Sequence, residues 1–347
     1  MKQYIIGLNG LRAIAVFFVI ISHRFPEDHI FRSLPLGDYG VNFFFVLSGY
    51  LISRGLFFQL KSYDKNFNLN VKILKNFFIK RFLRIFPVYY LLLLFLYLTD
   101  GIIGNHFKEN ILWYVLYAAN FLIYTQDKWF GALAHLWSLS VEEQYYIFFP
   151  IVMVFLFRNK ILMLLISLII IGTIYPFLID GKSNILTISC VNSFSVGGLL
   201  AYIEINKNSF LASFYKYILY LSILMGVIII CNNYYFTIPF FSERLAISII
   251  AVYLITLCLL KENSFVVKKI LNNNFLNFVG IISYGVYLYH NIVPKYLNFI
   301  LLKMNIKQYS FSYSLFLLQT SLIIIISYLS WIIFEKPILK LKKHLIN

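Results

Sequence analysis

Charge is what this sequence is short of. Asp, Glu, Lys and Arg make up 13% of its 347 residues, where soluble domains carry roughly a quarter. A chain so poor in charge and 61% hydrophobic cannot clothe a water-facing surface, which excludes an ordinary soluble domain. Cysteine is scarce as well. Cys190, Cys231 and Cys258 stand far apart in or beside apolar runs, so no disulfide frame or zinc spacing is expected. There is no HExxH, no paired CxxC, no Walker loop and no GxGxxG, which leaves no metal site and no permanently bound cofactor to expect. The opening MKQYIIGLNG has one lysine and no small-residue cleavage site, so the first apolar run is expected to be retained. No internal repeat, defensible inverted symmetry or low-complexity linker is present.

What fills the chain instead is apolar sequence from end to end, with a mean hydropathy of +0.79. Runs at 5–23, 39–58, 85–104, 138–157, 161–179, 185–203, 211–231, 244–260, 275–293 and 311–334 read as membrane spans, because about 20 apolar residues cross the hydrocarbon as a helix. The expected fold is therefore all-α: a polytopic membrane helix bundle of about ten spans forming a single domain over 1–347. The net charge of +16 does not imply nucleic acid, since no basic, aromatic-interleaved soluble segment exists. Twenty of the 30 Lys and Arg residues fall in alternate connections if the N-terminus is inside, among them Lys2, Arg54 through Arg84, and Lys336 through Lys343. That bias predicts both termini in the cytoplasm. Residues 61–84 read as a long basic inner connection ending in an interfacial helix. Residues 105–137, with ILWYVLYAANFLIY, read as a re-entrant or surface-lying outer connection, too short to span. The last span ends close to residue 347, so no appended soluble domain is expected.

Ionisable groups inside such runs are costly and default to a functional hypothesis. LNGLRAIAVFFVIISH carries Arg12 and His23 eleven residues apart. Eleven residues turn a helix by three turns plus about 20° and rise about 16 Å, so both side chains share a face. The plain alternative is an Arg12 that snorkels inward and a His23 at the interface. KRFLRIFPVYY sets Arg81 and Arg84 on one helical face before Pro87. Paired guanidinium forks suit phosphate, although a positive-inside collar would look the same. LAHLWSLSVEEQYYIFFP brings Glu142 and Glu143 beside Trp137, Ser138, Tyr145 and Tyr146. Carboxylates among aromatics are what sugar clefts use; an aromatic belt with interfacial acids is the alternative. In SYGVYLYHN, Ser283, Tyr287 and His290 share a face, where packing is the more ordinary role. His135 is as readily structural. FEKP places Glu335 to pair with an inner arginine or Lys336. GVNFFFVLSGYLIS, with Gly40, Ser48 and Gly49, reads as close helix packing.

Taken together, six ordered blocks resemble the acyltransferase-3 family of membrane acyltransferases, which modify bacterial surface glycans. They are LRAIAVFFVIISH with its Arg-x10-His, GVNFFFVLSGYLIS, KRFLRIFPVYY, LWSLSVEEQYYIFFP, SYGVYLYH and FEKP, and they cover essentially the whole chain. Relatives often have Phe-Tyr where this chain has Tyr145 and Tyr146. The resemblance implies a ten-helix domain in the bacterial cytoplasmic membrane. Its acyl group, usually acetyl, would come from coenzyme A and pass to a hydroxyl of a polysaccharide or lipid-linked sugar, with O-antigen, lipopolysaccharide, capsule and peptidoglycan as candidate acceptors. It also implies the standalone branch without a hydrolase-like extension.

On that footing His23, in its neutral form, is expected to be the general base. Glu142 would orient it or bind sugar. Arg81, Arg84 and Arg12 would hold the coenzyme A phosphates at the far end of a conduit between helices. Trp137, Ser138, Glu143, Tyr146, Tyr287 and His290 would meet the acceptor, while Ser48, Gly49 and Glu335 would be structural. An acyl-histidine route is the chemical variant. A transporter or flippase for an anionic or glycan-related substrate is the rival class; it lacks support in repeat symmetry or paired broken spans.

Overall fold

A computed structural model describes residues 4–62, 67–102, 107–306 and 311–345. In chain order its helices are α1 (Leu8–Arg24), α2 (Leu36–Ser62), α3 (Phe67–Leu98), α4 (Ile111–Val115), α5 (Ala119–Gln126), α6 (Leu136–Ile151), α7 (Ile161–Leu178), α8 (Thr187–Asn206), α9 (Leu211–Tyr234), α10 (Glu243–Leu260), α11 (Asn274–Ile281), α12 (Ser283–Tyr289), α13 (Ile292–Lys303) and α14 (Tyr313–Ser330). Among the described residues 82% are helical. Among the described residues eight helical stretches are long and apolar enough to cross a membrane. A helix closes its own backbone hydrogen bonds, which hydrocarbon demands because it offers no water in exchange. The protein is thus a multi-pass membrane helix bundle, as its composition implies.

Where the helices depart from the expected spans, a local cause is visible. α1 has 17 residues, about 25 Å at 1.5 Å per residue. The expected span 275–293 is broken into α11 and α12 at Ile282. There the chain changes partners: Gly280 lies against the Asn9 backbone, whereas Gly285 lies against Ser327. The expected interfacial helix and third span are in fact one helix, α3, of 32 residues with Pro87 inside it. No breaker precedes Pro87 within the helix, and one turn of it is tied to α12 by the Tyr284 hydroxyl, which donates to Ile85 O at 3.0 Å. α14 runs on through a π-helical turn, Trp331–Glu335, into Lys336–Lys340. The outer connection forms α4 and α5, of 5 and 8 residues, both too short to span. Lys2, residues 63–66 of the inner connection, 105–106 of the outer one and the side chain of Lys343 lie outside the described residues.

The helices cluster into two compact units. The first comprises Met1–Asp64 and Val152–Ile281. At its centre α2 crosses α8 at backbone distance: a β-carbon at Gly49 would overlap the Phe194 carbonyl, and one at Gly197 the Val46 carbonyl. Gly40 meets the Ala15 carbonyl of α1 in the same way. Small residues let helices approach until dispersion contacts replace the hydrophobic drive that lipid cannot supply. Near this crossing Arg54 Nε bonds both Glu204 oxygens at 3.1 and 3.0 Å, and the Tyr50 hydroxyl donates to Glu204 at 2.7 Å. The second unit comprises Lys65–Ile151 and Ile282–Asn347. In it Tyr89 and Tyr90 of α3 donate to the consecutive carbonyls of Tyr114 and Val115. Gln319 of α14 bonds Asn298 of α13 at 3.0 Å.

Gly49→Ala and Gly197→Ala should each destabilise the protein by about 1–3 kcal/mol, the cost of overpacking a tight core. At Gly55, also in α2, a β-carbon would meet nothing within 4 Å, so Gly55→Ala should hold or raise stability by up to about 1 kcal/mol. Thermal unfolding of the three variants in one detergent separates the two outcomes.

Candidate functional site

In the first unit, α1 presents the Arg12–His23 pair. The helix is regular from Leu8 to Arg24, so the two side chains do share a face. The residues between them on that face, Val16 and Val19, are 0% and 1% exposed. The stripe is therefore packed, with no opening along it. Arg12 is half-buried and donates from Nη1 to Asn9 Oδ1 at 3.3 Å; Asn9 in turn donates to Asn277 Oδ1 at 2.7 Å. His23 is the one exposed residue of α1. Arg24 and Arg32 both act on it electrostatically, and Arg32 Nη1 donates to the carbonyl of the adjacent Ser22. Gly49 does mark a close helix crossing, with Ser48 beside it half-buried in α2.

In the second unit, three consecutive residues of α6 do three different things. Glu142 is half-buried and accepts from the Tyr146 hydroxyl at 2.6 Å. The guanidinium carbon of Arg81 stands 4.8 Å from the Tyr146 ring centroid. Tyr146 thus carries a carboxylate at its hydroxyl and a guanidinium on its face, a cation–π contact that strengthens where water is excluded. Glu143 is 4% exposed and its Oε1 has no hydrogen-bond partner among the described residues. Tyr89, Tyr90, Tyr117 and Tyr284 all lie within its electrostatic reach. Gln144 donates to Tyr117 O at 2.8 Å and to Asn120 Oδ1 at 3.0 Å, and so anchors the turn between α4 and α5.

That turn is strained. Tyr117 has φ +50°, a left-handed conformation that side chains larger than Asn rarely adopt. Its ring stacks on Tyr89 at 4.3 Å, and its buried hydroxyl also lacks a partner among the described residues. A buried polar atom left unpaired costs about 1–3 kcal/mol. Strain and unpaired groups gather where a site is kept ready for a ligand.

The other expected residues divide. Arg84 lies one turn from Arg81 on α3, within electrostatic reach of Glu142 and Glu335. Glu335 is 4% exposed and accepts from Ser330 Oγ at 3.5 Å; of the two cations weighed for it, Arg84 is the one that acts on it. Ser138, Tyr287 and His290 meet in a buried clasp with His135. Ser138 Oγ bonds the Tyr287 hydroxyl, which also donates to His135 O at 3.2 Å. The His135 and His290 rings are 4.7 Å apart, and His290 Nδ1 is 2.6 Å from Tyr287 O. Trp137 adjoins this clasp at 8% exposure. Sequence reading passed over Arg24 and Arg32 as loop charges, and over Tyr117 and Gln144 altogether. Gln144 follows Glu143 directly and could have been weighed; nothing in LYAAN announces a left-handed tyrosine.

A family model described as "Acyltransferase domain" matches residues 5–335. A provisionally named O-acetyltransferase of Staphylococcus aureus (strain COL) is 31% identical, over 97% of this chain and 58% of its own length. A provisionally named peptidoglycan O-acetyltransferase of Bacillus subtilis (strain 168) is 28% identical, over 83% of this chain and 48% of its own. The peptidoglycan O-acetyltransferase OatA of Listeria monocytogenes serovar 1/2a (strain ATCC BAA-679 / EGD-e) is 33% identical, over 49% of this chain and 27% of its own. The chain therefore spans a little over half, or less, of these curated relatives. No solved structure matches it.

Gln144→Ala removes both anchors of the Tyr117 turn, and should loosen α4 and α5 by about 1–3 kcal/mol. Amide hydrogen exchange should rise over residues 111–126 and stay unchanged over α8; a uniform rise across the protein would show a global role instead.

Proposed function

This chain belongs to the acyltransferase-3 family of membrane acyltransferases, and on that premise we propose that it moves an acetyl group from coenzyme A to a hydroxyl of a cell-surface glycan. The names borne by its relatives support O-acetyl transfer and make peptidoglycan one acceptor to consider. The observation that carries the reading is His23: a single exposed imidazole at the end of an otherwise packed apolar helix.

In this reading His23 takes the proton of the acceptor hydroxyl as that oxygen attacks the thioester carbonyl. The carbon–sulfur bond then breaks, the acyl group stays on the sugar oxygen as an ester, and the coenzyme A thiolate leaves and takes up a proton. Base catalysis of this kind contributes about 10² to 10⁴ in rate. Arg81 and Arg84 bind donor phosphate, a role that the guanidinium held over Tyr146 supports, since that contact fixes its direction. Arg12 assists from its place beside Asn9. Glu142, in contact with Tyr146, orients the catalytic groups. Glu143, with its unpaired oxygen, receives an acceptor hydroxyl. Trp137 and Tyr146 lend apolar surface, and the Ser138, Tyr287 and His290 clasp holds α6 and α12 behind them. The chain as a whole is one acyltransferase domain in the cytoplasmic membrane, with both termini on the cytoplasmic side.

His23→Ala should lower kcat by about 10² to 10⁴ while the protein still reaches the membrane; full transfer by this variant would exclude the base role. Replacing Arg81 and Arg84 together by Gln should raise the donor KM at least about tenfold, given the worth of charge-assisted hydrogen bonds. An unchanged KM would return them to a topological collar. Mass analysis of envelope glycans with and without the active protein should show loss of one acetyl increment, and its position names the acceptor.

A further inference from the structure

The connection between α1 and α2 is short, preformed and chemically loaded. Leu34 and Leu36 pack against the apolar cluster of Tyr39, Ile229, Ala246 and Ile247. Ser33 Oγ bonds the Tyr234 hydroxyl of α9 at 2.5 Å. His29 Nδ1 accepts from Phe31 N at 3.2 Å, and the Phe25, His29 and Phe31 rings pack with centroids 4.6 to 5.3 Å apart. The bond from Arg32 to Ser22 O brings its guanidinium back beside His23. The carboxylates of the loop, Glu27 and Asp28, are exposed, whereas Arg24 and Arg32 are half-buried. Both guanidiniums act electrostatically on the His23 ring. Asp38, at the start of α2, answers to Arg244 of α10, whose guanidinium is itself held by Asn42, Ser189 O and Asn184 O. Next to Arg32, Phe31 leaves 49% of its surface exposed.

We infer that this loop is the acceptor subsite of the reaction proposed above, and that it selects a glycan bearing a negative charge. A carboxylate or phosphodiester would lie between Arg24 and Arg32, with the sugar ring against the face of Phe31. The inference rests on His23 being the reacting group. Two guanidiniums flanking the base can hold an anionic sugar by its charge and so fix which of its hydroxyls faces the imidazole. Guanidinium forks offer carboxylate and phosphate paired donors in fixed geometry, and an aromatic face supplies the apolar contact.

The test is equilibrium binding, without donor, to the full chain in nanodiscs of phosphatidylcholine, which carry no net lipid charge to compete. The probes are a uronic-acid oligosaccharide, the same oligosaccharide with its carboxylates reduced to alcohols, and a glycosylated glycerol-phosphate oligomer. At least one anionic probe should bind about tenfold or more tightly than the reduced one, the scale of a charge-assisted pair. Which anion wins identifies its source. Arg32→Gln should bring that ratio to about one, whereas Arg32→Lys, which keeps the charge, should retain most of it. Phe31→Ala should weaken all three probes. Equal binding of charged and reduced sugars by the unaltered protein would overturn the proposal. So would a ratio that survives Arg32→Gln, or a loss of coenzyme A binding in that variant, which would assign Arg32 to the donor. Because no donor is present, a failure of acyl transfer leaves this binding preference standing, and a failure here leaves His23 as base untouched.

Discussion

Inside hydrocarbon a polar atom has no water to fall back on, so each one the chain keeps there must find a partner in the protein or be held for a ligand. That constraint produces the helical bundle, since only helices satisfy their own backbone within the span. It also makes the side-chain chemistry informative. Arg54, Glu204 and Tyr50 satisfy one another between α2 and α8. Such a set adds little net stability, because desolvation offsets the attraction, but it penalises any other register of the two helices. Close packing at Gly49 and Gly197 supplies the attraction that lipid does not.

Against that background the adjacent trio on α6 shows three different environments. Gln144 commits both of its donors to the Tyr117 turn. Glu142 is engaged by Tyr146. Glu143 stays buried with one oxygen that has no hydrogen-bond partner among the described residues, within electrostatic reach of the strained Tyr117, whose hydroxyl has none there either. Successive residues on a helix point about 100° apart, so neighbours in sequence inevitably meet different surroundings. A pair of glutamates that looks redundant in sequence is two separate chemical positions in space.

The helix pattern was open to sequence reading because hydropathy and length govern insertion. Spans at 161–179, 211–231 and 244–260 match α7, α9 and α10 within a few residues. The misreadings fell where tertiary contacts overruled local signals. Pro87 looked like the start of a span and lies inside α3, with a hydroxyl from Tyr284 beside it. The apolar run at 275–293 looked continuous and breaks where Gly280 and Gly285 pack against different partners. The packed stripe through Val16 and Val19 was equally invisible, since periodicity tells which residues share a face and not whether that face is open.

By itself, then, the sequence determined that this protein is a membrane helix bundle, which family it joins, and that Arg12 and His23 lie on one side of α1. Composition, motif order and helix pitch are properties of the chain, and they survive any arrangement of the helices. Only the tertiary structure decided that His23 is exposed while the valines below it are sealed, that Arg32 folds back beside the imidazole from nine residues away, and that one Glu143 oxygen is buried without a hydrogen-bond partner among the described residues. Those are facts about which distant residues come within a few ångströms, and short-range forces such as hydrogen bonding and dispersion act only once the fold has brought them there.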